Sequence, residues 1–362
     1  MASIYGRNIR VSLFGQSHSP AVGGVIDGLP AGFMPDMAAL RAFMKRRAPG
    51  QTLLSTQRSE ADLFEVLGGL SEGRLCGAPF AATIRNSDVR SGDYTALKAT
   101  PRPGHADYPA QLKFAGFQDR AGGGHFSGRL TAALCLAGGL VMQMLAQQGV
   151  RIAAHIASIA DIEDERFDPL SPDFSRLQPG YLTVIDQGKA EQMAQAIDAA
   201  RLAGDSLGGV IQCAATGLKP GLGEPMFEGL ENRIAQAIFG IPAVRGIAFG
   251  TGFAATRMRG SQHNDPYTIK EGQVSASSNH AGGILGGLST GLPLLFDVAI
   301  KPTASIYLPQ QTVDMGTMQD APLQIKGRHD PCIVPRAVPV VEAACALALY
   351  DSYLDHDKGA GP

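Results

Sequence analysis

Apolar residues recur at helical spacing in "PDMAALRAFMKRRAPG", where Leu40, Phe43 and Met44 share one face. Asp36 stands at its start and Pro49–Gly50 at its end, so the pattern predicts a helix between those signals. A second stretch, "GRLTAALCLAGGLVMQMLAQQGV" from Gly128 to Val150, is apolar nearly all round and carries no charge after Arg129. Its uninterrupted apolar part falls short of the ~20 residues that span a bilayer. Its Ala, Gly and Cys content suits a helix packed on several sides, so it reads as a central buried helix. "KAEQMAQAIDAARLAG" and "ENRIAQAIFG" have the amphipathic period of helices, whereas "GVIQCAATGL" and "LLFDVAIKP" read as strands. A last helix is expected from about Val340 to Tyr353, with a frayed tail at 356–362.

No linker-like segment divides the chain, so residues 1–355 are expected to form one large domain. Strands and helices alternate irregularly, which favours an α+β fold over a doubly wound sheet. Two runs, "GGVIDGL" (Gly23 to Leu29) and "GGILGGL" (Gly282 to Leu288), align without gaps, each after a nearby Ser/His pair. They are either a chance likeness of glycine-rich hairpins or a duplicated unit whose loops meet at one site.

Composition narrows the ligands. The 362 residues carry a net charge of −2, so no global field recruits nucleic acid or an anionic membrane. An anionic ligand must be met by local arginines and lysines. The five cysteines are widely spaced without CxxC, which argues against a disulfide framework or zinc site and fits a reducing compartment. "MASIYGRNIR" has no signal-peptide pattern, and the cytoplasm is the expected location. The abundant glycines cluster inside apolar runs, where they mark turns or close approach of the backbone to a ligand.

Five of the eight histidines sit in loop-like contexts beside Gly, Ser or Arg, a placement that core packing does not explain. The contexts are "GQSHSP", "PRPGHAD", "GGGHFSGR", "GRHDPC" and "SSNHAGGILGG". A glycine-rich loop ahead of a helix, as in "GGGHFSGR", leaves N–H groups free for an anion, although Ser127 also suits an N-cap. "IKPTASI" is a plain turn or a phosphate holder through Lys301, Thr303 and Ser305. Arg46 and Arg47, in the last turn of the first helix, complement its dipole. Arg328 and Asp330 read as a surface ion pair or as site groups. No HExxH and no histidine pair at i, i+4 spacing occurs, so no metal is expected. A site rich in His and Arg, poor in carboxylates and suited to anions remains.

Together these stretches resemble one family. "GQSHSPAVGGVIDGLPAG", "RAPGQ", "TQRSEAD", "RSGDY", "PRPGHADY", "SGRLTA", "SSNHAGGILGG", "KPTASI" and "GRHDPCIVPRAVPVVEA" are similar, in order and across almost the whole chain, to chorismate synthase. The resemblance implies helices sandwiched between antiparallel β-sheets, assembled as a homotetramer. It implies conversion of 5-enolpyruvylshikimate 3-phosphate to chorismate by anti-1,4-elimination of phosphate, with reduced FMN and no net redox change. His18 then matches a general acid toward the leaving phosphate, and His105 a histidine beside the flavin. Asp330 matches an aspartate that assists loss of the C6 proton. Arg47, Arg102, Arg129 and Arg328, with Arg58, match positions facing substrate. For FMN the matches are Ser17, His125, Phe126, Ser127, Pro242, Ala243, Gly286, Lys301, Pro302, Thr303, Ala304, Ser305 and again Arg328.

Departures from the family pattern are local. Gln16 and Ser19 replace the commonest Glu and Gly around the first histidine. His125, Phe126 and Gly128 stand where many members carry Arg, Ser and Ala, and Leu53 replaces a basic residue. They bear on flavin and substrate affinity and leave the proton-transfer set intact. Some members reduce the flavin with NADPH and others use an outside reductant. No G-x-G-x-x-G follows a strand here, which favours outside supply. The rival reading, a silent flavin- or phosphate-binding scaffold, is opposed by intact His18, His105 and Asp330.

Overall fold

The computed structural model describes residues 3–50, 52, 54–55, 60–87, 99–177, 180–325 and 329–359. Period-two burial builds its sheets: Phe80, Ala82 and Ile84 turn inward along one strand while their neighbours face outward. That strand lies fourth in a five-stranded antiparallel sheet of Ile4–Tyr5, Arg10–Gly15, Ala21–Asp27, Phe80–Arg85 and Phe64–Gly68. A second five-stranded antiparallel sheet holds Val244–Phe249, Leu294–Ile300, Gly209–Thr216, Arg151–Ile159 and Ile162–Glu163, in that spatial order.

The helices are α1 (Met37–Arg47), α2 (Asp107–Lys113), α3 (Thr131–Gln147), α4 (Gln187–Leu202), α5 (Leu230–Phe239), α6 (Gly260–His263) and α7 (Val334–Gly359). Between the sheets, α3 packs on strand Ala21–Asp27, α7 packs on Arg151–Ile159 and Gly209–Thr216, and the two helices pack on each other. Their approach is close enough that a Cβ on Gly138 would lie 2.4 Å from the Ala343 Cα. That contact accounts for a glycine in mid-helix, at a propensity cost of ~1 kcal/mol. One core cluster runs from Ile9 to Tyr353 and joins both sheets through these helices. Gly128–Gln147 and Val334–His356 are long and apolar enough to cross a membrane, yet 78% and 94% of their apolar windows are buried in the fold. They are core helices.

Asp36 caps α1 as expected, its Oδ1 accepting from Ala38 N and Ala39 N at 2.9 Å. Arg46 does more than complement the helix dipole. Its guanidinium donates to both oxygens of the buried Glu342 on α7, at 2.6 and 2.9 Å, and Ala154 N donates to the same carboxylate. A second buried carboxylate of α7, Asp351, accepts the backbone N–H groups of Arg7, Asn8 and Ile9.

Two expectations change. The last helix starts at Val334, ahead of Val340, and runs past Tyr353 to Gly359. Pro335 is tolerated in a first turn, and Pro339, inside the helix, removes one hydrogen bond that packing compensates. The internal echo carries no shared structure: "GGVIDGL" is a central strand, whereas "GGILGGL" forms the small hairpin Ile284–Leu285 with Leu288–Ser289.

Candidate active site

A cavity of about 570 Å³, within the ~300–1,000 Å³ usual for small-molecule sites, opens where the ends of α1 and α5 meet the beginnings of α3 and α7. It gathers Ser17, His18, Arg47, Arg102, His105, His125, Phe126, Ser127, Arg129, Pro242, Ala243, Lys301, Pro302, Thr303, Ala304, Ser305 and Asp330. Segments far apart in sequence therefore converge on one space.

Gly286 is the exception. Its hairpin packs on the start of α5, where Leu230 N donates to Gly287 O at 2.8 Å. The cavity begins beyond the other end of α5, at Phe239. A ten-residue helix puts ~15 Å between the two, so Gly286 does not line the cavity among the described residues. The histidine of "SSNHAGGILGG" is also elsewhere: His280 contacts Thr251 and stacks near His263. Arg58, Arg328 and Leu53 lie outside the described residues. "GLSEG" (Gly69–Gly73), a G-x-S-x-G match, turns the hairpin Leu70–Ser71 with Arg74–Leu75 and not a strand-to-helix elbow.

Three glycines ahead of α3 shape the end of the cavity that holds His18 and His105. Gly122, Gly123 and Gly124 have φ of +64°, +110° and +53°, all in the left-handed region. A Cβ on Gly122 would lie 2.6 Å from Ser17 Oγ and 2.8 Å from His18 Nε2. One on Gly123 would lie 3.1 Å from His105 Nε2. Two successive missing side chains thus make room for two histidine rings. Ser127 caps the turn that follows, accepting from Arg129 N at 3.2 Å.

His105 Nδ1 sits 2.5 Å from Asp107 Oδ1. Arg102 grips the same carboxylate through Nε (2.7 Å), Nη2 (2.8 Å) and its backbone N (3.0 Å), and also reaches Ser305 Oγ. Burial opposes the Asp107 charge, but the hydrogen bonds from Arg102 and His105 outweigh it and hold that carboxyl below its ordinary pKa. Deeper in, Asp62 is shared by two buried arginines. Arg47 Nη1 donates to it at 2.6 Å, and Arg129 pairs with its other oxygen while lying 3.1 Å from Glu60. Burial again opposes the charge, and the two guanidiniums prevail, lowering the Asp62 pKa. Asp330 Oδ2 accepts from Arg336 Nη1 at 2.6 Å, and Lys301 Nζ donates to Gly104 O.

Residues 9–354 match the sequence model of the family described as chorismate synthase. The chain belongs to the chorismate synthase family. Chorismate synthases of Korarchaeum cryptofilum and Thermococcus kodakarensis are 43% and 44% identical to it, covering 99% and 96% of this chain and 99% and 97% of their own. A crystal structure of chorismate synthase aligns with a TM-score of 0.73 at 26% identity, over 97% of this chain and 93% of that one. The α+β arrangement of helices between antiparallel sheets is thus the chorismate synthase fold.

In this member of the chorismate synthase family the site is not poor in carboxylates. Glu60, Asp62, Asp107 and Asp330 stand against Arg129, Arg47, Arg102 and Arg336, so each arginine has an internal counterion. "TQRSEAD" and "PGHAD" carry three of these carboxylates, but no local pattern shows that two of them meet an arginine as distant as Arg129. His329, the histidine of "GRHDPC", lines the cavity too, as does Arg336, which no sequence motif marked as a site group. His125 lines the cavity with its ring held by protein groups. Its Nδ1 bonds Gly15 O at 2.8 Å and its Nε2 Ser3 Oγ at 2.7 Å, so both ring nitrogens are turned to protein partners.

Proposed function

We propose that this cavity binds 5-enolpyruvylshikimate 3-phosphate with reduced FMN and eliminates phosphate to give chorismate, a carbon–oxygen lyase reaction. One observation carries the reading: in a chain of the chorismate synthase family, His18, His105 and Asp330 line a single cavity with Arg47, Arg102, Arg129 and Lys301.

The residues fit a flavin. Gly104 and Gly128 leave parts of the wall without side chains, and a Cβ on Gly128 would meet nothing within 4 Å, so a planar ring can approach the backbone there. Thr303 Oγ1, on the wall, is buried with no hydrogen-bond partner among the described residues, which suits a polar group of the flavin side chain. Ser17, Phe126, Ser127, Pro242, Ala243 and Lys301–Ser305 would hold FMN, with His125 fixed behind them by Gly15 and Ser3. Reduced flavin, when bound, supplies electron density that eases C–O cleavage and ends the cycle unchanged.

The chain's own groups supply the rest. Arg47, Arg102 and Arg129 face the substrate's carboxylates and phosphate, which compete with the internal counterions for the guanidiniums. His18 donates a proton to the departing phosphate, whose oxygen takes the C–O bonding pair. Asp330 assists loss of the C6 proton, and that C–H pair becomes the new double bond. His105 bears on the flavin from the next glycine along. Outside reductant, rather than NADPH oxidised by this chain, keeps FMN reduced.

The catalytic domain is proposed as one unit in a cytoplasmic homotetramer. Exposed Tyr267, Ile269 and Val274 on one hairpin supply an apolar surface suited to assembly, and the free cysteines fit a reducing compartment. An anaerobic phosphate-release assay with reduced FMN, run with and without NADPH, tests the reading. Phosphate and chorismate appearing in equal amounts is the expected result. A folded protein that binds flavin and releases no phosphate rejects it in favour of a silent binding scaffold.

A further inference from the structure

The Arg102–His105–Asp107 cluster fixes more than the position of a ring. Among the described residues both Asp107 oxygens are approached only by nitrogen: Arg102 N and Nε at Oδ2, Arg102 Nη2 and His105 Nδ1 at Oδ1. The three Arg102 groups are permanent donors, because neither a backbone amide nor a guanidinium can accept a hydrogen bond. His105 alone has a choice of tautomer. A bare Nδ1 would set its lone pair against a carboxylate lone pair at 2.5 Å, so the proton belongs on Nδ1. The 3.1 Å contact between Arg102 Nη2 and the same Nδ1 does not reverse this, since the carboxylate oxygen is both the nearer neighbour of Nδ1, at 2.5 Å, and the charged acceptor.

We infer that Asp107 is a positioning residue that keeps the His105 proton on Nδ1 and presents Nε2 to the cavity as the nitrogen that exchanges a proton. This rests on the reading of His105 as a site group, and it adds the residue that sets its tautomer. The His105 ring lines the cavity, and with Nδ1 engaged by Asp107 the ring nitrogen left to face it is Nε2.

Asp107→Asn makes a sharp case, because its amide nitrogen must replace one oxygen. At Oδ2 it would face two N–H groups that cannot turn round. At Oδ1 it would face Nη2 and the one partner able to become an acceptor, His105 Nδ1. The amide therefore settles at Oδ1, donates to Nδ1 and drives the ring proton to Nε2, the inverted tautomer.

The test is ¹⁵N NMR of the full chain labelled at histidine, with His105 assigned by its loss in His105→Ala. In the neutral ring of the wild type, Nδ1 is expected to give the protonated-type signal and Nε2 the unprotonated one. Asp107→Asn is expected to exchange them and to cut phosphate release by ~10²–10⁴-fold with a much smaller change in KM. Asp107→Glu, which keeps a carboxylate, is expected to retain the wild-type tautomer and recover at least ~10-fold of the lost rate. A wild-type ring protonated on Nε2 overturns the inference with no variant needed. So does an Asp107→Asn protein with unchanged turnover while His105→Ala is inactive. If His105→Ala itself turns over normally, the broader reading of His105 fails instead.

Discussion

Replacing Gly122 by alanine places a methyl carbon 2.6 Å from Ser17 Oγ and 2.8 Å from His18 Nε2. Ordinary contact for such a carbon starts at 3.4 Å, so the His18 ring must retreat by about 0.6 Å and Ser17 by more. Both obstacles are side chains. The backbone can hold while the displacement falls on His18, the proposed proton donor. At φ +64° the new residue adds left-handed strain of about 1–2 kcal/mol. In a chain of this length that lowers Tm by only ~1–3 °C. A misplacement of 1 Å at a reacting group costs ~10²-fold, so about 0.6 Å is expected to cost on the order of 10-fold in turnover. The assay is anaerobic phosphate release with reduced FMN, run beside a thermal melt. Gly73→Ala is the control for strain alone: its φ is +76°, and open space surrounds its missing Cβ. Equal turnover in the two variants would falsify the claim that the glycine loop makes room for His18.

His18→Ala is expected to lower turnover by ~10²–10⁴-fold while leaving FMN affinity nearly intact, and near-normal phosphate release rejects a general-acid role. Asp62→Asn strips the charge shared by Arg47 and Arg129 and is expected to destabilise the fold by on the order of 3 kcal/mol, read by urea unfolding. Because the folded Asp62 carboxyl lies below its ordinary 3.8, its stabilisation is complete above that value and is lost as pH falls through the lower folded pKa. Unfolding curves collected below about pH 4 should therefore steepen in the wild type and flatten in the variant, and parallel curves reject the shared-counterion account. Asp330→Asn keeps a partner for Arg336 but loses the basic oxygen, so elimination should slow with little change in KM. Unaltered single-turnover kinetics would reduce Asp330 to an ion pair with Arg336.

The sequence pattern marked the two kinds of information unequally. Helices with local signals were legible: Asp36 and Pro49–Gly50 bound α1, and the uniform apolarity of Gly128–Val150 announced a buried helix. Pro335 and Pro339 hid the first turns of α7, because prolines read locally as a stop even where packing holds the helix. The first sheet was less legible, since Gly23–Gly24 interrupt the branched residues Val22, Val25 and Ile26 of its central strand. At the site, histidines stood out because loops rarely need them. The buried carboxylates did not, because Asp62 acquires its meaning only when Arg47 and Arg129 arrive from α1 and the start of α3. Gly286 was misplaced for the converse reason: a glycine-rich motif does not reveal which end of α5 it packs against.

The carboxylate of Asp351 on α7, holding the N–H groups of Arg7, Asn8 and Ile9 across as many as 344 positions, ties the order of synthesis to the order of completion. On the ribosome, α7 emerges after every other element that lines the cavity. Until it does, those three amides lack their acceptor, α3 lacks the helix it packs on, and the wall formed by Arg336, Ala337 and Val340 does not exist. The earliest-made strand region is therefore among the last to be closed, a long-range requirement of the kind that slows folding. A nascent chain stalled before α7 holds His18, His105 and the arginines, yet has no pocket in which to use them.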